Sequence, residues 1–144
     1  MKEVTLEIAT VLKDKGFCEK CAKYYLLDGT LLNFKDTILD STGSIIEEIN
    51  IFSTSNHNPL NQTVDAPYIE QVLEWLRKDK GIYVHAYYLF FIEEKTSKKI
   101  EYFFPVIQRI GIQEKSDFGD GSHTFSTWED AIMEGIRYTV INLI

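Results

Sequence analysis

Apolar residues recur at helical spacing in three stretches of the chain and run along two extended stretches between the second and third. This alternation predicts an α+β fold. The first helix is expected at about residues 5–15, where Leu6, Ile8, Ala9, Val11 and Leu12 form a stripe behind a Thr5 cap. Gly16 suits the left-handed position past its end, with Phe17 folding back on Leu12. The second is expected at 66–80: Pro67 occupies the first turn after a cap at Asp65 or Ala66, and Ile69, Val72, Leu73 and Leu76 follow. Gly81 stops it. The third is expected at 127–143, opened by a capping box of Ser126 and Glu129 and carrying Trp128, Ala131, Ile132, Ile136, Val140 and Leu143. Gly135 lies on the same stripe, where a missing side chain lets a helix approach a sheet closely.

Between the last two helices, 82–92 and 99–112 read as long strands, the first largely apolar or aromatic on both faces and the second with Tyr102, Phe103 and Phe104 at its centre. Pro105 has no N–H to donate, so its strand sits at an edge or bulges there. A short third strand is expected around His123–Phe125. Nearer the start, Tyr24–Leu27 and Thr30–Phe34 read as a hairpin across a two-residue Asp28-Gly29 turn. Within 35–52, Ile45, Ile46, Ile49 and Ile51 fit a strand or a short helix, with a strand the favoured reading, whereas 53–65 is polar and reads as a loop. The expected whole is one domain, 1–144, with an N-terminal helix and hairpin (1–52), a polar loop (53–65) and a helix–three-strand–helix part (66–144). Its antiparallel sheet, of about three to five strands, packs against the helices, which are expected to bury the strand rings as core.

Composition and charge narrow the function classes. Hydrophobic residues at 44% and charged ones at 26% place the chain of 144 residues among globular proteins rather than disordered ones. The formal charge is −7, split as −4 over residues 1–65 (6 basic, 10 acidic), +1 over 66–110 (7 basic, 6 acidic) and −4 over 111–144 (2 basic, 6 acidic). An acidic surface without a basic cluster argues against nucleic acid and against anionic membranes. The charged N-terminus lacks the apolar run of a signal peptide, so the expected compartment is the cytoplasm.

Candidate chemistry is sparse. Cys18 and Cys21 form a C-x-x-C pair, but a zinc site needs two more ligands, and His57, His85 and His123 are far apart in sequence. The pair also follows a helix C-terminus, where the dipole disfavours a thiolate, so both cysteines read as structural. Residues 117–121 match a calcium loop at too few ligand positions. Glu93, Glu94, Glu101, Glu129 and Glu134 are the carboxylates from which an enzyme would draw a pair, but nothing in the sequence brings two together. No catalytic residue, metal site or cofactor is therefore assigned. The feature that stands out is aromatic: Tyr83, His85, Tyr87, Phe91, Tyr102 and Phe103 are the candidate interaction surface, for a protein partner or a second copy of the chain. The expected role is non-enzymatic, with a small enzyme as the alternative.

Two resemblances follow. The helix–three-strand–helix order is similar to that of double-stranded RNA-binding domains, but the last helix opens with Glu129 and Asp130, which repel phosphate. More broadly, Lys13–Phe17, Ala66–Arg77 and Ser126–Gly135 resemble a recurring pattern in uncharacterised short proteins of phages and prophages of Bacteroidetes bacteria. These are a helix ending in Lys-x-x-Gly-Phe, an Ala-Pro segment leading into a Trp-Leu-Arg helix, and a C-terminal helix with an acidic-Ala opening. Tyr68 stands where that group often has threonine. The resemblance implies a phage-derived accessory protein and no mechanism.

Overall fold

Capping chemistry sets the first helix to within a residue. In a computed structural model that describes residues 1–56, 62–111, 115–116 and 124–144, α1 spans Leu6–Asp14. Thr5 Oγ1 accepts a hydrogen bond from the Ile8 N–H, and Gly16 closes the other end at φ +85°. The Phe17 N–H reaches the Leu12 carbonyl and the Gly16 N–H the Lys13 carbonyl, a pairing that turns Phe17 into the interior.

Contacts group the residues into two compact units, Glu3–Gln71 with Met1, and Val72–Ile144 with Lys2. In the first, β1 (Lys23–Leu26) and β2 (Leu31–Asn33) are followed by β3 (Lys35–Leu39), β4 (Ile45–Asn50) and β5 (Thr63–Asp65). One antiparallel sheet has the order β2-β1-β5, and β3 with β4 makes another. Ile8, Ala9, Leu12, Cys21 and Val64 lie in the interior of this unit.

The Asp28-Gly29 turn differs from the two-residue loop expected. Tyr25 pairs with Leu31 and the Leu26 N–H bonds the Thr30 carbonyl, which leaves Leu27, Asp28 and Gly29 as a three-residue loop. Gly29 has φ +89° and Asp28 does not have positive φ. Either primed turn requires it at the first central residue, Asp28, whereas a type I turn completed by a left-handed glycine requires it at Gly29 alone. Residues 35–52 hold two strands where one was expected. Asp40 folds the chain between them by accepting from the N–H groups of Thr42 (2.8 Å) and Ser44 (2.9 Å). Gly43 supplies a left-handed residue at φ +82°. Both strands are solvent-exposed throughout, so no alternation marks them in the sequence.

The expected polar loop 53–65 is held at both ends. Asp65 is fully buried, and its carboxylate accepts from the Ser55 N–H (2.8 Å), the Ser55 hydroxyl (2.7 Å) and the Thr54 hydroxyl. Asn56 Oδ1 in turn accepts the Asp65 N–H at 3.1 Å. A buried carboxylate is tolerable only with its lone pairs occupied in this way. His57 and Pro59 lie outside the described residues. Asp65, so engaged, does not cap α2 (Ile69–Asp79), and neither does Ala66. Instead Gln71 Oε1 accepts from the Tyr68 N–H at 3.0 Å, while Glu3 pairs with Tyr68 and holds the entry to the helix extended.

In the second unit β6 (Ile82–Ile92), β7 (Lys99–Arg109) and β8 (Lys115–Ser116) form an antiparallel sheet in that order, and α3 (Trp128–Asn142) packs on β6 and β7. The cap of α3 is Thr127, one residue later than expected, with its side chain accepting from the Asp130 N–H at 3.1 Å. Ala131, Ile132, Gly135, Ile136 and Val140 are buried along it, but Trp128 is exposed. Phe125 pairs with Phe103 through two backbone bonds of 2.8 Å, so part of the expected third strand is present as a bridge. His123 and residues 117–121 lie outside the described residues. Gly135 makes the close approach its position suggested: a Cβ there would stand 2.6 Å from Val84 Cγ1 and 3.2 Å from Pro105 Cβ.

Among the described residues the three helices and the small antiparallel sheets make the fold α+β. No helix among them is long and apolar enough to cross a membrane.

Candidate interaction surface

β6 and β7 pair over their full length, from Ile82 opposite Arg109 to Ile92 opposite Lys99. Side chains alternate between the two faces of this ribbon. Val84, Ala86, Tyr88, Phe90 and Ile92 share the α3 face with Phe103, Pro105 and Ile107. Tyr83, His85, Tyr87, Leu89 and Phe91 share the other with Tyr102, Phe104 and Val106. The six candidate residues therefore do not form one surface. Five lie together on the face away from α3, and Phe103 belongs to the α3 face.

The ribbon divides lengthwise as well. At its base Ile82, Val84, Pro105 and Ile107 are buried. From Tyr87 to Ile92 every residue of β6 is exposed, reaching 57% at Phe90 and 62% at Ile92. The expectation that helices bury these rings is corrected: Tyr83, Tyr87 and Phe91 are exposed, and His85, Tyr102 and Phe103 are half-buried. Geometry explains it. A 15-residue helix is about 22 Å long, and α3 lies across the base of strands that each extend about 36 Å.

Ring contacts stiffen the projecting arm on both faces. Tyr87 lies 5.5 Å from Phe104 and Phe91 6.0 Å from Tyr102 on one; Tyr88 lies 5.4 Å from Phe103 on the other. Such pairs add about 0.5–1.5 kcal/mol beyond simple burial. On the α3 face Lys99 pairs with Glu101 and sits 5.0 Å over the Phe90 ring, and the Tyr88 hydroxyl donates to Glu101 at 2.6 Å. Lys99 first, and Tyr88 after it, hold the Glu101 carboxyl below its ordinary range.

Backbone direction matters as much as side chains. Phe103 turns its N–H and carbonyl to Phe125, away from β6, so Pro105 and Ile107, two and four residues on, face the same way. The proline's missing N–H thus costs the β6–β7 ladder nothing. By the same alternation Tyr83, His85, Tyr87, Leu89 and Phe91 bond to β7, and Ile82, Val84, Ala86, Tyr88, Phe90 and Ile92 direct their backbone groups to the open edge of β6. Among the described residues no strand pairs with that edge. Sequence reasoning missed Tyr88, Leu89, Phe90, Ile92 and Phe104 as surface residues. The available signal was an eleven-residue strand with no Asp, Glu, Lys, Arg or Pro.

Several of the groups with reactive potential are buried or already paired. Cys21 is buried, and burial first, then Asp65 and Glu19, push its thiol up to about 12; Cys18 is exposed. A thiol so raised is protonated and unreactive as a nucleophile near neutral pH. His85 packs edge-on to Tyr87 with centroids 5.3 Å apart. Glu134 is paired with Arg137 at 2.8 Å, and Glu93 accepts from the Thr96 hydroxyl. No three of His, Cys, Asp and Glu converge to hold a metal among the described residues. Comparison of the chain with protein-family models, curated proteins and solved structures finds no match.

Proposed function

We propose that the protein is a non-enzymatic binding module whose contact surface is the outer half of the β6–β7 arm, acting as an accessory protein of the phage kind its sequence resembles. The observation that supports this reading is the run Tyr87–Ile92, exposed on both faces of a ribbon that projects beyond its covering helix. Contiguous apolar surface on a soluble protein is costly to leave in water and marks a place of contact. The cross-strand ring pairs hold that surface in one shape before any partner arrives, so little conformational freedom is lost on binding.

The test uses the full chain as bait in a lysate of the cell that carries its gene, beside a Phe90→Lys/Phe91→Lys variant that places a charge on each face. The two baits should have the same far-ultraviolet circular dichroism, because neither ring is in the core. Proteins retained by the parent should be lost from the variant. Equal retention by both baits would remove the arm from the function.

A further inference from the structure

We infer that the partner of the β6 edge is a second copy of this chain, joined by antiparallel pairing of β6 with its symmetry mate across a two-fold axis at Tyr87. This rests on the reading of the arm as a binding surface and names its occupant. Three observations carry it.

The first is backbone complementarity. Six residues of β6 point their N–H and carbonyl groups outward, and such a row is a template for another extended strand. Natural edges are protected by a charge, a proline, a bulge or a short strand. β6 has eleven residues, pairs regularly with β7 and contains neither proline nor any charged side chain.

The second is charge. A chain of net charge −7 repels its own copies, and a self-contact must avoid those charges. The seam proposed here contains none, and residues 93–101 beside it balance at three Glu and three Lys.

The third is register. Full overlap of the strands places Ile82 opposite Ile92 of the second copy and Tyr87 opposite Tyr87. The overlap ends where the strand does, at Gly81 with its φ of +64° on one side and at the turn that joins Glu93 to Lys98 on the other. The contact is isologous and closes on itself, as a two-fold requires.

Analytical ultracentrifugation across micromolar to millimolar concentration should give twice the chain mass of 16.7 kDa. Tyr88→Pro removes an outward N–H and leaves the β6–β7 bonds intact, so it should abolish the dimer while preserving the circular dichroism spectrum. A covalent test fixes the register, in a Cys18→Ser background. Tyr87→Cys should oxidise to a disulfide-linked dimer, because residues facing each other at a non-hydrogen-bonded antiparallel position have Cα atoms roughly 4.5 Å apart, inside the disulfide range. Leu89→Cys should not, since the two copies of that residue would stand roughly 13 Å apart along the strand. A monomeric parent overturns the inference, as does a dimer that survives Tyr88→Pro or crosslinks through Leu89→Cys and not Tyr87→Cys. A monomer whose arm still retains other proteins in the lysate experiment sinks the self-pairing alone; a monomer with equal retention sinks both readings.

Discussion

The base and the outer half of the β6–β7 ribbon are built from the same two strands with the same kinds of residue, yet one half is core and the other is surface. Ile82 and Ile107 are about 2% and 1% exposed, whereas Phe90 and Ile92, on the same face further along, exceed 50%. Nothing in the strands makes the difference. It is made by α3, which lies across the base, with Gly135 set against Val84 and Pro105. Burial is thus a property conferred by the neighbour, and a hydrophobic strand acquires a structural or an interactive role according to where its cover ends.

Truncation should separate the halves most strongly. Ile107→Ala, at the base, should cost about 2–5 kcal/mol, while Phe90→Ala, in the arm of the monomeric Tyr88→Pro variant, should stay within about 0.5 kcal/mol. Urea denaturation measures both, and similar costs would erase the distinction. Next in size is Gly135→Ala. The added methyl meets Val84 Cγ1 and the rigid Pro105 ring, so despite alanine's better helix propensity the helix must lift, at about 1–3 kcal/mol. Val84→Ala in the same chain removes the nearer contact and should make the double variant more stable than additivity allows.

The smallest effect at neutral pH concerns the thiols of the first unit, where the same contrast of covered and uncovered holds. Cys18 should react with a thiol reagent in the folded protein, and Cys21 only on unfolding. Because the Cys21 thiol titrates at about 12 when folded and near 9 when exposed, protons are released more readily by the unfolded chain. Its contribution to stability is therefore complete below pH 9 and lost as pH rises from 9 through 12. Melting curves across that window, with Cys21→Ala as the control, should show a fall in the parent that the variant lacks. Zinc or a chelator should leave the melting temperature of the parent unchanged.

Features fixed by neighbouring residues were legible in the sequence. The Gly16-Phe17 stop, the bounds of β6 and the role of Gly135 needed only local chemistry and helical spacing. Competition between adjacent signals explains the nearby misses: Ser126 and Thr127 are both good caps, and tertiary context selected the second. The Asp28-Gly29 dipeptide fits two loop lengths, and strand register chose the longer. Non-local features were invisible. Asp65 resembles a helix cap until Thr54 and Ser55 are seen to enclose its carboxylate, and β3 and β4 have no buried face to print a period. The arm was half-legible: its rings and its lack of charge are in the sequence, but its exposure depends on the reach of a helix more than thirty residues away.

Pro105 makes the two margins of the β6–β7–β8 sheet unequal. On the β8 side Phe125 has already taken the bonds of Phe103, Ser116 stands beside Ile107, and the imide nitrogen between them offers no donor. Along β6, by contrast, six residues turn their backbone groups outward, and no described strand of this sheet pairs with them. The ring nitrogen of one residue thereby withholds a donor from one side of β7 while the ladder to β6 on the other stays complete.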